Sequence, residues 1–340
     1  MAYITLNKSN YFYNLDICSK KAGDKSKIAV VLKDNAYGHG LIEIATLAKE
    51  YGITKAVVKT IEEAKKIEDF FSQILILADT KKETLSHTFH ITINSLEDID
   101  RLVAGTNIHI KVNTGMCRNG IDKDQLEVAF YRALENKLNI CGVFTHHSSA
   151  DEFNGRFQIQ NDIFVTIKKH ISQLCEKLNL DKIQLHSANS AALFRFKNFD
   201  EDFARVGIAS YGYNENDPEL AFPKLKPVLS LYTQKIATRT LQKNDSVGYG
   251  AKFTATKEMI VSTYDIGYGD GFHRIADDLN YKIDDDHQIL GRVSMDNISI
   301  NSDKDEICLF DDVSRLAKLH STISYEMLTS LKEYIKRKVI

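Results

Sequence analysis

Cysteine is scarce and unpatterned: Cys18, Cys117, Cys141, Cys175 and Cys308 are odd in number and scattered, with no C-x-x-C pair. That argues against a disulfide framework or a zinc ribbon and suits a reducing cytoplasm. No run approaches the roughly 18 apolar residues of a membrane span, and the first residues lack a basic segment leading into an apolar core, so no export signal is expected. No block of like charge occurs; 44 Lys and Arg stand against 46 Asp and Glu, a net of -2. Neither nucleic acid nor an anionic membrane is therefore an expected partner, and the ligand is expected to be small. Only three prolines occur, Pro218, Pro223 and Pro227, directly after Asn214, Glu215, Asn216 and Asp217. That stretch reads as a linker. Solenoid-length repeats and low-complexity segments are also missing.

What is present is an alternation. Short apolar runs at 28–32, 56–58, 74–77, 91–93, 108–112, 141–145, 183–185 and 203–208 are separated by helically spaced segments such as 41–51, 61–70, 96–103, 126–134 and 159–178. Strand alternating with helix indicates a parallel sheet, and these units suffice to close a TIM-type (β/α)8 barrel, with an open doubly wound sheet as the alternative. Past the prolines the pattern changes to runs rich in Val, Ile, Thr and Ser at 229–237, 259–264, 288–293 and 298–300. The fold class is therefore α/β, with an N-terminal barrel over 1–217 followed by a mainly-β C-terminal domain over 218–340. Residues 324–338 are open between a terminal helix and irregular chain.

Lys33 stands where the first apolar run ends and a polar, glycine-bearing turn begins. An amine at the mouth of a buried strand loses hydration, which favours the free base that Schiff-base chemistry needs; the plain alternative is a lysine stem reaching out to solvent. Other polar residues follow later strands: His146 and His147 after the sixth, His186 after the seventh, Arg205 within the eighth. In a closed barrel these converge on the carboxyl face, where active sites gather. Ser187, Asn189 and Ser190, with Gly207 and Ile208 beside Arg205, offer hydroxyl and N–H groups suited to a phosphate, although Ser and Asn at a helix start also serve as simple caps. His146, His147, Asp151 and Glu152 have no recognised ligand spacing, so no metal is expected. Asp284, Asp285 and Asp286 read as a solvated hairpin tip.

The motifs, taken in order, resemble those of the alanine racemase family. Lys33, Asn35, Ala36, Tyr37, Gly38, His39 and Gly40 resemble its pyridoxal-phosphate attachment signature. Lys111 with Thr114-Gly-Met and Arg118, Thr145-His146, His186-Ser-Ala-Asn-Ser190, Arg205-Val-Gly-Ile, Val247-Gly-Tyr249-Gly, Ile266-Gly-Tyr268-Gly and Gly291-Arg-Val-Ser-Met295-Asp296 continue the match over nearly the whole chain. The resemblance implies pyridoxal 5'-phosphate as cofactor and interconversion of L- and D-alanine by two bases, supplying D-alanine for peptidoglycan. It implies Lys33 as the cofactor anchor and the base on the D-alanine face, with Tyr249 on the L-alanine face. His146 and Arg205 would support the tyrosine, because a free tyrosine titrates near pH 10. Arg205 would also face the cofactor ring, where a guanidinium that stays protonated leaves the ring nitrogen unprotonated.

Arg118 and Met295 would bind the substrate carboxylate. Tyr37, Ser190, Gly207 and Ile208 would surround the cofactor, Tyr268 and Asp296 would line the pocket, and Lys111 is a candidate for carbamylation. The family builds each site from two chains, so a homodimer with shared active sites is implied. Asp34 replaces the usual small residue, and the terminal segment leaves the register of a phosphate-side tyrosine, such as Tyr334, open. A racemase of serine or another amino acid, a fold-related decarboxylase, and a non-enzymatic cofactor carrier are the alternatives.

Overall fold

The computed structural model describes residues 1–277 and 279–340. The first strand, β1 (Tyr3–Leu6), precedes eight parallel strands: β2 (Ile28–Val31), β3 (Lys55–Val58), β4 (Gln73–Ile76), β5 (Phe89–Ile93), β6 (Asn107–Lys111), β7 (Asn139–Phe144), β8 (Gln184–His186) and β9 (Ala204–Val206). They pair in the order β8-β7-β6-β5-β4-β3-β2-β9, an eight-stranded sheet. Its two ends are joined by Asp202 N–H to the Leu185 carbonyl at 3.1 Å and Arg205 N–H to the Ala188 carbonyl at 2.9 Å, so the barrel is nearly closed. Strands covered on both faces read as nearly continuous apolar runs, and every residue of β2 and β4 is buried, Gln73 being the one polar residue of the two. This is the barrel expected from the alternation.

Helices cover it by presenting one apolar stripe. In Leu126–Glu135 the buried residues Leu126, Ala129, Phe130 and Ala133 recur at helical spacing. In Arg156–Leu178 the stripe runs through Phe157, Phe164, Ile167, Ile171 and Leu174. Burying each large side chain contributes about 1.5–3 kcal/mol. Two helices are shorter than their apolar spacing suggests. The 61–70 segment stops at Lys66 and continues as a 3-10 turn, Glu68–Phe70, because Ile67 leaves helical geometry. The 96–103 segment is helical only over Leu96–Ile99, where Asp98 turns back to accept from the Asn94 and Ser95 N–H groups.

The strand-rich unit comprises Met1–Tyr11, Tyr37–Glu43 and Lys226–Ile340. Its strands are β10 (Leu229–Leu241), β11 (Ser246–Val247), β12 (Phe253–Thr254), β13 (Met259–Tyr264), β14 (Ile298–Ile300), β15 (Glu306–Phe310) and β16 (Lys336–Val339). The main sheet runs β14-β13-β10-β1-β16, with β15 also on β10. β1, from the segment assigned to the barrel, thus pairs antiparallel with β10 and parallel with β16. Register shifts within β10 let this one long strand change partners along its length. The run at 288–293 is not a continuous strand; it makes only isolated bridges, Gln288 to Lys282 and Ile289 to Ile300. The terminal segment is a helix, Ser324–Thr329, and then β16. No helix among the described residues is long and apolar enough to cross a membrane.

Candidate active site

Lys33 follows β2 and opens a turn that winds the wrong way. Asp34, Asn35, Ala36 and Tyr37 have φ between 51° and 54°, one turn of left-handed helix. For residues other than glycine this conformation costs about 1–2 kcal/mol each. One local and one tertiary bond hold it: Ala36 N–H donates to the Leu32 carbonyl at 2.8 Å, and Asp34 N–H to Glu63 at 2.7 Å. Glu63 also closes the capping box of the helix that follows Thr60. Gly38 ends the turn at φ 78°, and a Cβ there would lie 2.0 Å from the Leu328 carbonyl oxygen, so only glycine fits. The Lys33 side chain is one-third exposed, less stripped of water than its strand-end position suggests. Asp34 lies 3.8 Å from its amine and 3.7 Å from that of Lys59.

Lys111 closes β6. Burial lowers its pKa to about 8, and the charges of Arg205, Arg118 and Lys33 push the same way. Four cations expected from separate motifs are therefore brought together at the carboxyl ends of the strands. Arg118 is exposed on the loop that follows Lys111. Arg205, on β9, is buried; it donates to Thr145 O at 2.7 Å, Ser187 O at 3.0 Å, His186 Nδ1 at 2.7 Å and, more weakly, His146 Nδ1 at 3.4 Å. Burial lowers its pKa to about 10, partly offset by Glu201. His146 is pushed well below the usual imidazole range by burial and then by Arg205, Lys111 and Arg118, so it stays neutral.

Ser190 Oγ accepts from Gly207 N–H at 3.0 Å and Ala209 N–H at 3.3 Å, and Ile208 is buried between them. Asn189 caps its short helix, accepting from Ala192 N–H at 2.9 Å. Glu201, which sequence reasoning missed because acidic residues are seldom buried, accepts from Ser187 N–H at 2.5 Å, Ser187 Oγ at 2.6 Å and Ala188 N–H at 3.2 Å.

The strand-rich unit carries the remaining candidates. Tyr249 is 71% exposed, on a 3-10 turn in which Gly250 has φ 72°. Tyr268 and Met295 belong to two turns locked together: Tyr268 N–H donates to Ser294 O at 3.1 Å and Gly269 N–H to Met295 O at 2.8 Å. Gly267 makes this approach possible, since a Cβ would meet Met295 O at 2.2 Å. Asp296, the next residue, is exposed. Tyr37 packs its ring 5.5 Å from Tyr325, a residue the motifs did not single out. Tyr334 instead donates to Asp270 at 2.9 Å.

The model of the alanine racemase N-terminal domain matches residues 6–215, and that of the C-terminal domain residues 228–339. The chain belongs to the alanine racemase family. As a member it is an isomerase. It is similar to the alanine racemase of a Nitratiruptor species, 48% identical over 337 residues that cover 99% of each chain. A second relative, the alanine racemase of Campylobacter curvus, is 42% identical over the full length of both. The solved alanine racemase of Bacillus anthracis, described with bound L-Ala-P, superposes with a TM-score of 0.86 at 27% identity, covering 100% of this chain and 95% of that one.

Proposed function

We propose that the chain interconverts L- and D-alanine with pyridoxal 5'-phosphate, in sites that a homodimer completes. The cation cluster of Lys33, Lys111, Arg118 and Arg205, on the face where barrel sites form, carries this reading. Such a field suits a cofactor phosphate and a substrate carboxylate together. Ser190, Gly207 and Ile208 would hold the phosphate, Tyr37 the cofactor's flank, and Lys33 would anchor it covalently. The bound cofactor supplies an electron sink for the charge left at Cα when its proton departs.

Inversion then needs a proton acceptor on each face. The Lys33 amine would hold the proton on the D-alanine face, and the partner subunit's Tyr249 on the L-alanine face. His146, kept neutral, and Arg205, kept charged, supply an acceptor and a donor between them. Arg118 would take the substrate carboxylate in its planar fork, with Met295 assisting and Tyr268 and Asp296 lining the entry. Tyr249, Met295, Tyr268 and Tyr334 are large and exposed on one chain, as residues awaiting a twin would be. Free thiols suit a cytoplasmic setting, where the D-alanine would serve peptidoglycan synthesis.

Burial lowers the Lys111 pKa to about 8, so a useful fraction of its ammonium gives up one proton; the free amine can then add carbon dioxide as a carbamate with loss of a second, which turns a cation beside Arg118 into an anion. A carbonyl signal from 13C-labelled bicarbonate that disappears in Lys111→Met is the expected result; the same signal in both proteins removes Lys111 from that role. The reaction itself is tested by incubating holoenzyme with L-alanine and following optical rotation. Decay to zero is expected. A steady rotation with alanine but inversion of serine would move the reading to another racemase, carbon dioxide release to a decarboxylase, and no turnover of any amino acid to a carrier.

A further inference from the structure

Three histidines run in single file through the barrel to Arg205. Arg205 NH1 lies 2.7 Å from His186 Nδ1, His186 Nε2 lies 2.9 Å from His109 Nδ1, and His109 Nε2 lies 3.0 Å from His90 Nδ1. We propose that His109 and His90 are positioning residues, fixing through His186 the direction in which the Arg205 guanidinium is hydrogen-bonded. The proposal rests on the reading of Arg205 as the residue facing the cofactor ring.

The argument is one of donors and acceptors. Arginine can only donate, so His186 must offer a lone pair at Nδ1. A neutral imidazole has one N–H, which then sits on Nε2 and donates to His109 Nδ1. The same step repeats at His109, whose Nε2–H donates to His90. The opposite direction would place an N–H of His186 against an arginine N–H 2.7 Å away. Gln73 Nε2, which can only donate, lies 3.4 Å from His109 Nε2 but gives its short bond, 2.7 Å, to Gln184 Oε1, so the closer His90 at 3.0 Å is the partner that His109 Nε2–H serves. Burial keeps the imidazoles neutral: His186 and His109 are pushed well below the usual range and His90 to about 4.

The fold makes room for this file. Phe203 and Phe144 stack on the His186 ring at 4.1 and 4.7 Å. Gly142 faces His109, and a Cβ there would stand 2.5 Å from His109 Nδ1. Space is therefore reserved for the ring at the atom that receives the His186 proton. Removing the His109 ring would leave the buried His186 N–H without its acceptor, free to change tautomer and release Arg205.

The test uses the full-length holoenzyme labelled with 15N-histidine. Ring-nitrogen spectra are expected to show His186, His109 and His90 all as the Nε2–H tautomer, and His186 as a mixture in His109→Phe. An Nδ1–H tautomer at His186 or His109 in the unchanged protein would overturn the proposal. In parallel, His109→Phe should lower kcat for alanine about tenfold or more with KM little changed, because a buried N–H left without its acceptor bears its full desolvation cost, and His109→Gln should restore part of it. Altered tautomers with unchanged kcat would also overturn it. If His109→Phe does not fold, His90→Phe carries the same comparison at the far end of the file. Arg205→Lys with unchanged kcat would instead count against the role given to Arg205, leaving the tautomer result standing.

Discussion

Lys33→Ala is expected to abolish racemisation, a loss of at least about 10⁴-fold, because one amine is asked to anchor the cofactor and to serve as a base. Borohydride reduction of the unchanged holoenzyme should fix a pyridoxyl group on the peptide carrying Lys33, and the variant should carry none. The substitution should not unfold the protein. The Lys33 side chain is one-third exposed, and the left-handed turn after it is held by Ala36, Asp34 and Glu63 through bonds that do not involve the amine. Circular dichroism should therefore match that of the unchanged protein, and added methylamine should recover a fraction of the activity. A variant that still racemises, or a pyridoxyl group on another lysine, would remove Lys33 from the site.

Tyr249→Phe should lower turnover by about 10²–10⁴-fold, the range spanned by general acid–base groups. The change removes one oxygen from a side chain that is 71% exposed in its own chain, so stability should move by no more than about 0.5 kcal/mol. The loss should be one-sided. Deuterium from solvent should enter Cα of D-alanine still, through Lys33, while entry into L-alanine falls. Equal loss from both enantiomers would count against the faces assigned to the two bases.

The barrel strands were legible because a strand buried on both faces is apolar over most of its length, as in β2 (IAVV) and β4 (QILI), between polar turns. β1 was not legible as part of the second sheet, since pairing Tyr3 with Tyr232 across most of the chain leaves no local mark. The left-handed turn was hidden for a related reason. Asn35 tolerates that conformation, but for Ala36 and Tyr37 it is set by the bond of Asp34 to Glu63 before them and the glycine packed on Leu328 after them, neither of which leaves a local mark.

At the site, Lys33, Lys111 and Arg118 stand at a strand end or on the loop beyond one and Arg205 lies within β9, and the barrel topology does the rest. His90 and His109 escaped notice because each lies between two apolar neighbours inside a barrel strand, FHITI and NIHIK, where a polar residue has no local mark of function. Only the register of β5, β6 and β8 joins them to His186. Tyr325 lies in a segment whose secondary structure was left open, and its contact with Tyr37 depends on the helix at Ser324–Thr329.

Subunit mixing decides whether an amine and a phenol from different protomers share one centre. Lys33→Ala and Tyr249→Phe proteins, each inactive alone, are to be unfolded together, refolded in equal amounts with pyridoxal phosphate, and assayed for racemisation of L-alanine. If centres are shared between chains, half of the dimers are hybrids with one intact centre, and activity should return to about a quarter of that of the unchanged enzyme. Activity that stays at the level of the separate variants, with dimers formed and cofactor bound, would contradict the shared site.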